Sequence, residues 1–287
     1  MAGSTVPVAR SAAADDANAV YSLGQSEGES ARLQRQADEL AADSAMLLDR
    51  AALRPGQSAV DLGCGPRGVL ELLAERVGPD GTVVGVDANP VHVAMASELA
   101  AGRGLSGVRI VTADARRTGL PPGSFDLVHA RTLLITVPQP AEIVAEMVRL
   151  AKPGGWVVAM EPDMEATLCY PPHPAYSRIR EIYPQVFGRN GADPLIGRRV
   201  AELFRAAGLE DVEVDATARV YPAGHSRRTI RLDLMRSMRP QILELGLASE
   251  AELDHLDAAA RAHLDNPRTV VMPHLFCLTS GRKPGGN

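Results

Sequence analysis

Three aspartates stand where three successive predicted strands end: Asp61 in VDLGCGPRG, Asp87 in VVGVDANP and Asp114 in TADA. Because the carboxyl ends of parallel strands meet at one edge of a sheet, these carboxylates are expected to lie close together. Asp61 also precedes a glycine-rich turn over residues 63–68. Its G-x-G-x-x-G spacing, between a strand and a helix, is typical of a dinucleotide-binding loop.

Two features of this loop oppose a phosphate ligand. The carboxylate of Asp61 would repel a pyrophosphate at close range, and Pro66 offers no N–H group to an anion. S-adenosylmethionine carries a sulfonium and an ammonium but no phosphate, so it removes the first objection. Glycines are still needed, because a side chain would block the close approach of the ligand to the backbone. The loop therefore predicts S-adenosylmethionine as the cofactor.

The next two strand ends supply the rest of an adenosine site. Asp87 lies 24 residues after Gly63, a distance at which an acidic residue suits the ribose hydroxyls. NAD-dependent enzymes use the same feature, so Asp87 alone does not separate the two cofactors. Asp114 would accept a hydrogen bond from the adenine amino group, and the N–H of Ala115 would face a ring nitrogen.

Four segments resemble, in this order, the successive motifs of class I S-adenosylmethionine-dependent methyltransferases: VDLGCGPRG, VVGVDANP, TADARRTGLPPGSFDLVHAR and LAKPGGWVVAMEP. The resemblance covers about residues 60–162. It implies an α/β, Rossmann-like sheet of seven strands with an antiparallel last strand. Arg67 stands where the family often has a glycine, which leaves the role of Gly68 undecided.

The resemblance also assigns cofactor contacts residue by residue. Asp61 and Gly63 would lie near the methionine part, while His129 and Arg131, just past the fourth strand, would face the methionine carboxylate or the substrate. Cys64 is expected to fill space in the turn. The expected cofactor-binding residues are Asp61, Gly63, Cys64, Gly65, Asp87, Ala88, Asp114, Ala115, His129 and Arg131.

Strand and helix signals alternate from residue 58 to residue 162, which indicates a buried parallel sheet. Outside this core we expect helices over 29–52, 176–187, 197–207, 227–247 and 249–264, a proline-rich loop over 168–176, and strands over 211–221 and 269–283. The expected units are a mobile segment with a helical cap (1–53), a cofactor-binding core (54–162), and substrate-side helices with the closing strands of the same sheet (163–287).

The flanks carry a narrower resemblance. YSLGQSEGESARLQRQADEL, YPPHPAY, GADPLIGRR and ARVYPAGHSRR are similar to segments of bacterial small-molecule methyltransferases, including natural-product enzymes. Within that group, the likeness to the teleocidin type of C-methyltransferase implies methylation of a prenyl-derived alkene of an indole alkaloid, which triggers cyclisation. Methyl transfer to an oxygen or nitrogen of another small metabolite is the alternative.

Candidate catalytic residues lie mostly in the flanks: Tyr21, His129 and His173. Tyr21 could close over the site, but it could equally anchor helix packing. His173 stands in a proline-rich loop, and His129 follows an apolar strand, so each could also be a structural histidine. No spacing of histidines or carboxylates indicates a metal site.

The helical stretch TIRLDLMRSMRPQILELGL presents Ile230, Leu234, Met235, Met238, Ile242 and Leu245 on one side. These residues could form core, a subunit contact or a lid over an apolar substrate. Together with the N-terminal helices, this insertion is expected to form a lid that excludes water from the transfer. We therefore expect a small, apolar acceptor.

Composition limits the partners. The formal net charge is −5 and no basic stripe is present, which argues against a nucleic-acid partner. Three widely separated cysteines indicate a reducing cytoplasm, and no apolar run indicates a signal peptide or membrane span. Exposed N-terminal helices favour a homo-oligomer. Two other classes stay open at this point: an NAD(P)-dependent oxidoreductase and a non-catalytic Rossmann-like module.

Overall fold

The computed structural model describes residues 27–189 and 191–286. The strands are β1 (Ser58–Leu62), β2 (Thr82–Asp87), β3 (Val108–Thr112), β4 (Phe125–Arg131), β5 (Ala151–Asp163), β6 (Leu168–Tyr170), β7 (Glu210–Thr217), β8 (Val270–Met272) and β9 (Leu275–Arg282). The helices are α1 (Glu27–Glu39), α2 (Ala41–Arg50), α3 (Leu70–Val77), α4 (Pro90–Gly102), α5 (Pro140–Leu150), α6 (Pro174–Arg189), α7 (Ile196–Ala206), α8 (Ile230–Ser237), α9 (Arg239–Glu244) and α10 (Glu250–Asp265).

Seven strands form one sheet in the order β3-β2-β1-β4-β5-β9-β7. The first five strands are parallel, and β9 runs antiparallel to both of its neighbours. The expected sheet with an antiparallel last strand is confirmed. Its strand order reverses between β1 and β4, and in open α/β sheets ligands bind in the crevice at such a switch point.

Helices cover both faces of the sheet. Residues such as Val60 and Leu62 of β1 face α5 and α7, whereas Ala59 of the same strand faces the layer of α2, α3 and α4. This alternation follows from the two-residue period of a strand, and it buries the central strands on both sides. None of the helices in the described ranges is both long enough and apolar enough to cross a membrane.

The helices α6, α8, α9 and α10 pack on one another and, with β6 and β8, form the unit we call the cap. Its chain comes from two places: the connection between β5 and α7, and the connection between β7 and β9. The strands β6 and β8 pair antiparallel, with Cys169 opposite Val271. The expected helical insertion is therefore present, with a short ladder that joins its two parts.

Four expectations for this half of the chain are corrected. The proline-rich loop begins with β6, and the single closing strand is two strands in different sheets, β8 and β9, separated by Pro273 and His274. The strand expected over 211–221 ends at Thr217. The single helix expected over 227–247 is divided into a short 3-10 turn, α8 and α9. The break between α8 and α9 occurs because Pro240 cannot continue the hydrogen bonding of α8.

Candidate functional site

A cavity of about 630 Å³ lies at the carboxyl edge of the sheet, at the switch point between β1 and β4. This volume is within the range of roughly 300–1,000 Å³ that small-molecule sites occupy. It is lined by Leu33, Gln36, Asp61, Gly63, Cys64, Gly65, Pro66, Gly68, Asp87, Ala88, Asn89, Pro90, Val91, His92, Ala113, Asp114, Ala115, Arg131, Thr132, Leu133, Thr136, Val137, Pro138 and Ile143. Nine of the ten residues expected to bind the cofactor are among them, and His129 is the exception.

The glycine-rich turn takes a left-handed backbone at three positions. Gly63, Gly65 and Gly68 have φ values of +66°, +58° and +55°. A Cβ on Gly68 would lie 2.2 Å from Oδ2 of Asp61 and 2.8 Å from the carbonyl oxygen of Cys64. Gly68 is therefore required by the carboxylate that stands behind the loop, which resolves the role that the sequence left undecided.

Asp61 is buried, and both of its oxygens already have protein partners. Oδ2 accepts a hydrogen bond of 3.0 Å from the backbone N–H of Val69, and Oδ1 lies 2.7 Å from Nδ1 of His129. The first bond satisfies an N–H at the start of α3, as carboxylates do near helix N-termini. Asp61 therefore stabilises the conformation of the loop. Its negative charge still contributes to the electrostatic potential in the cavity, although both oxygens are bound to protein groups.

His129 lies within β4 and not past it. It pairs with Asp61 in the register between β1 and β4, and its side chain is fully buried on the face that Leu127 shares. Among the described residues its Nε2 has no hydrogen-bond partner. The expected contact of His129 with cofactor or substrate is corrected, because its ring touches Asp61 from behind and does not reach the cavity.

The other two carboxylates line the cavity and also bind protein groups. Asp87 accepts from the backbone N–H of Gly65 at 2.8 Å and from that of Asn89 at 2.9 Å. Asp114 accepts from the backbone N–H of Arg116 at 2.9 Å and pairs with its guanidinium. An ionised carboxylate accepts about four hydrogen bonds, so Asp87 retains capacity for a ligand. Arg116 already donates four hydrogen bonds to Asp114, so a ligand that binds Asp114 would have to displace part of that guanidinium. The sequence predicted that Asp87 and Asp114 lie at this edge of the sheet, but it did not predict the protein groups that bind them.

Cys64 fits the space-filling role expected of it. Its backbone N–H donates to the carbonyl of Val86 at 3.0 Å, which ties the loop to β2. A Cβ on Gly85 would lie 3.0 Å from Sγ of Cys64, so the thiol packs directly on β2. Burial raises the pKa of the Cys64 thiol well above its usual range. The side chain is therefore a neutral thiol.

Arg131 connects the loop to a flanking helix. Its Nη1 donates to Oγ of Ser44 in α2 at 3.0 Å, and its Nη2 donates to the carbonyl of Gly68 at 3.2 Å. Burial lowers the pKa of Arg131 to about 10, so the side chain stays charged at neutral pH. Arg131 lies on the cavity wall as expected, where its positive charge suits a ligand carboxylate.

Several residues of the cavity wall were not among those predicted from the sequence. Helix α1 contributes Leu33 and Gln36, and Nε2 of Gln36 donates to Oγ1 of Thr132 at 3.2 Å. Thr132 has a φ of +51°, uncommon for a residue that is not glycine. The helical periodicity of α1 was visible in the sequence, but nothing there showed which of its residues meet the turn after β4.

Glu161, near the end of β5, holds that turn in place. Its carboxylate accepts hydrogen bonds from the backbone N–H groups of Leu133, Leu134 and Ile135, at 2.9, 2.9 and 3.2 Å. The side chain is fully buried, and burial raises the pKa of Glu161 to about 7 against the opposing effect of these bonds. The motif MEP contained this residue, but its charge gave no sign of complete burial.

The remaining catalytic candidates are not brought to the cavity. His173 stands before α6 and stacks on His263 of α10, with ring centroids 4.6 Å apart. His173 lines neither of the two cavities described here, and its catalytic role stays a prediction. Tyr21 lies outside the described residues, and its role stays a prediction.

A second, smaller cavity of about 50 Å³ adjoins the first. Four residues line both cavities: Leu33, Gln36, Thr132 and Thr136. The other residues around the small cavity are Arg32, Ile135, Pro162, Met164, Tyr183, Phe187, Arg227, Ile230, Leu234, His274 and Phe276. The walls are mostly apolar and include residues from α6 and α8, so the cap reaches the edge of the sheet here.

Comparisons with known proteins agree with this site. The methyltransferase domain family matches residues 60–159. Nocamycin O-methyltransferase of Saccharothrix syringae is 35% identical over 192 residues, covering 58% of this chain and 64% of that enzyme. Trans-aconitate 2-methyltransferase of Methylobacterium radiotolerans is 31% identical over 254 residues, covering 83% of this chain and 92% of that enzyme.

A solved structure shares the fold. Geranyl diphosphate C-methyltransferase from Streptomyces coelicolor A3(2) gives a TM-score of 0.54 at 15% identity, covering 91% of this chain and 87% of its own. The glycine turn, the acids at three strand ends and the cavity fit S-adenosylmethionine, and they match the family motifs in order. This chain belongs to the class I S-adenosylmethionine-dependent methyltransferases.

Proposed function

We propose that this chain transfers the methyl group of S-adenosylmethionine to a small, largely apolar natural-product acceptor. The observation that supports this most is the pair of adjoining cavities at the edge of the sheet. The larger one lies on the glycine turn, and the smaller one is lined largely by aromatic and aliphatic side chains, several of them from the cap. The nocamycin relative, an O-methyltransferase, supports the natural-product assignment.

The cofactor supplies the electrophilic methyl group, so the chain has to align the acceptor and exclude water. The hydrogen bond between Gln36 and Thr132 joins α1 to the turn after β4 at the boundary of the two cavities. Glu161 fixes the same turn from the side of the sheet. We infer that this turn sets the approach of the acceptor to the methyl group.

The position that is methylated distinguishes two versions of the proposal. Methylation of a prenyl-derived alkene leaves a carbocation, which the rings of Tyr183, Phe187 and Phe276 would stabilise. A carbocation in the small cavity would also be repelled by the guanidinium of Arg227, which lies 5.5 Å from the ring centroid of Phe276. An oxygen acceptor beside the cofactor, with the other end of the molecule in the small cavity, avoids this repulsion, and C-methylation stays the alternative.

Calorimetry and mass spectrometry test the proposal. We expect S-adenosylhomocysteine to bind with micromolar affinity and NADH not to bind, whereas the reverse result would indicate an oxidoreductase. Incubation with S-adenosylmethionine and fractionated bacterial extracts should then yield a product one methyl group heavier than its precursor. Two-dimensional NMR of that product identifies the methylated atom. Cofactor binding without any labelled product would instead support a non-catalytic module.

Assembly and location stay predictions of the sequence. The exposed helical surface would suit a homo-oligomer, which size-exclusion chromatography with light scattering tests directly. A cytoplasmic enzyme would also find S-adenosylmethionine available.

A further inference from the structure

We propose that Arg227 binds an anionic oxygen group of the acceptor, a carboxylate or an ionised acidic hydroxyl, in the small cavity. The apolar remainder of the acceptor would extend past Gln36 and Thr132 into the larger cavity. This inference rests on the proposed function, and it adds the chemical class of the acceptor and a residue that selects it.

Arg227 is a charged residue that is almost completely buried at the wall of the small cavity. It lies in the 3-10 turn before α8, its side chain is 1% exposed, and it lines the small cavity. In the described part of the chain, its Nε and Nη2 have no hydrogen-bond partner. Leaving a buried charged donor unsatisfied costs free energy. We therefore expect a ligand to accept the hydrogen bonds that Arg227 does not make within the protein.

The carboxylate nearest to Arg227 does not complete its bonding. Oε2 of Glu39 lies 3.5 Å from Nε of Arg227, beyond hydrogen-bond distance, and its Oε1 bonds to Oγ of Ser226. The guanidinium also stacks over Phe276, an apolar partner that satisfies no donor. The side chain of Tyr221 also stabilises the guanidinium. Arg227 therefore has two partners for its charge, and its Nη2 is still without a hydrogen-bond partner among the described residues.

The charge balance around the small cavity is positive. Arg32 and Arg227 both line it, and none of the described lining residues is a carboxylate. The buried Arg231 lies close by, where its Nε donates to the carbonyl of Pro273 at 3.0 Å. Among the described residues, Glu39 is the carboxylate paired with Arg227. An anion is the ligand that such an environment stabilises.

His274 lies in the same positively charged environment. It lines the small cavity beside Arg227, and its Nδ1 has no hydrogen-bond partner among the described residues. Burial lowers the pKa of His274 well below its usual range, and the charges of Arg227 and Arg231 lower it further. His274 is therefore neutral at physiological pH, so its ring can share in binding an anionic oxygen as a hydrogen-bond donor.

The small cavity is large enough for one end group of the acceptor but not for the whole molecule. A volume of about 50 Å³ holds roughly three or four water-sized groups, as many heavy atoms as a carboxylate contains. Arg227 lines the small cavity and is not among the residues around the cofactor cavity. The anion is accordingly an anchor remote from the methyl group, and Arg227 is a specificity-determining residue.

A matched pair of probes tests the charge preference: 3-phenylpropanoate and its neutral amide, 3-phenylpropanamide. Calorimetry measures both, with and without saturating S-adenosylhomocysteine. We expect the carboxylate to bind at least about tenfold more tightly than the amide. Equal affinities for the two probes, or no binding of either one, would overturn the proposal.

Variants assign the preference to one residue. Arg227→Met keeps the length of the side chain without its charge and should bring the affinity ratio close to one, while Arg227→Lys should retain part of it. The exposed Arg205→Met is the matched control and should leave the ratio unchanged. A ratio that persists in Arg227→Met would overturn the assignment, and Arg227→Lys decides it if the methionine variant does not fold.

The affinity for S-adenosylhomocysteine separates this inference from the proposed function. It should change by no more than about twofold in Arg227→Met, because Arg227 lies outside the cofactor cavity. If the wild-type chain fails to bind S-adenosylhomocysteine, the proposed function fails, whatever the probes do. If it binds S-adenosylhomocysteine but does not distinguish the probes, the anion subsite alone fails.

Discussion

Asp61 and His129 lie opposite each other on neighbouring parallel strands, with Oδ1 of the aspartate 2.7 Å from Nδ1 of the imidazole. The other oxygen of Asp61 accepts from the backbone N–H of Val69. The acid that precedes the glycine turn is therefore built into the protein as a support for that turn. Its negative charge adds to the field of the cavity, but its oxygens do not depend on a ligand for their partners.

Asp61→Asn tests whether support or charge recognition dominates. If support dominates, the variant should bind S-adenosylmethionine and S-adenosylhomocysteine about tenfold more weakly, to a similar extent, because the loop loses a charge-assisted hydrogen bond. If direct recognition of the sulfonium dominates, S-adenosylmethionine alone should lose affinity. We expect the first result from isothermal titration with both ligands. The exposed Asp80→Asn serves as a control with the same change of charge.

Gly68→Ala should destabilise the fold and abolish cofactor binding. The new Cβ would meet Oδ2 of Asp61 at 2.2 Å, and the φ of +55° is strained for alanine. We expect a loss of about 2–4 kcal/mol in the free energy of unfolding, from backbone strain and overpacking together. Urea denaturation measures this loss.

Gly104→Ala separates the two contributions. Gly104 has a φ of +67°, and nothing lies within 4 Å of a Cβ placed there. Only the backbone strain should remain, at about 1–2 kcal/mol. If both alanine variants lose the same stability, the contact between Gly68 and Asp61 has no energetic importance.

The buried Glu161 should make stability fall as the pH rises. Its folded-state pKa of about 7 lies above the ordinary value of 4.5, so the folded chain retains a proton that the unfolded chain releases between these values. The stabilisation is thus fully present below about pH 4.5 and is lost as the pH rises through 7. We expect a decrease of roughly 1–3 kcal/mol from this group.

Glu161→Gln isolates this effect from all other titrating groups. The variant loses one acceptor oxygen and should be less stable overall, but the difference from the wild type should shrink as the pH rises from 5 to 8. Urea unfolding of both proteins at several pH values measures that difference. A difference that is constant with pH would contradict the raised pKa of Glu161.

Asp114 should select adenine through the exocyclic amino group. We expect the wild type to bind S-adenosylhomocysteine about tenfold more tightly than S-inosylhomocysteine, which has a carbonyl in place of the amino group. Asp114→Ala should remove most of this preference. The same preference in both proteins would show that Asp114 serves only Arg116, its partner in the structure.

The sequence predicted the cofactor half well because its signals are local. The glycine turn, the acids at the strand ends and the alternation of strands with helices each depend on a few neighbouring residues, and the parallel sheet brings the strand ends together. The prediction for His129 failed because alternation along β4 places its ring behind the site, on the face of Leu127.

Long-range relationships were not visible in the same way. The three-residue strands β6 and β8 pair across about a hundred residues of chain, and neither has a distinctive pattern of its own. Nothing in the local sequence indicated that Arg227 and Glu161 are buried, because their burial depends on helices and turns packed from distant segments. Fully buried charged groups are uncommon, so composition favours the opposite expectation.

The ladder between β6 and β8 also bears on how this chain could acquire new substrates. It joins the connection after β5 to the connection before β9, and these two strands are neighbours in the sheet. Recombination that replaced one connection alone would leave an unpaired strand edge, whereas exchange of both together could graft a foreign acceptor pocket onto an unchanged cofactor half. We therefore expect that, as such enzymes evolve new substrates, the connection after β5 and the connection before β9 are exchanged together.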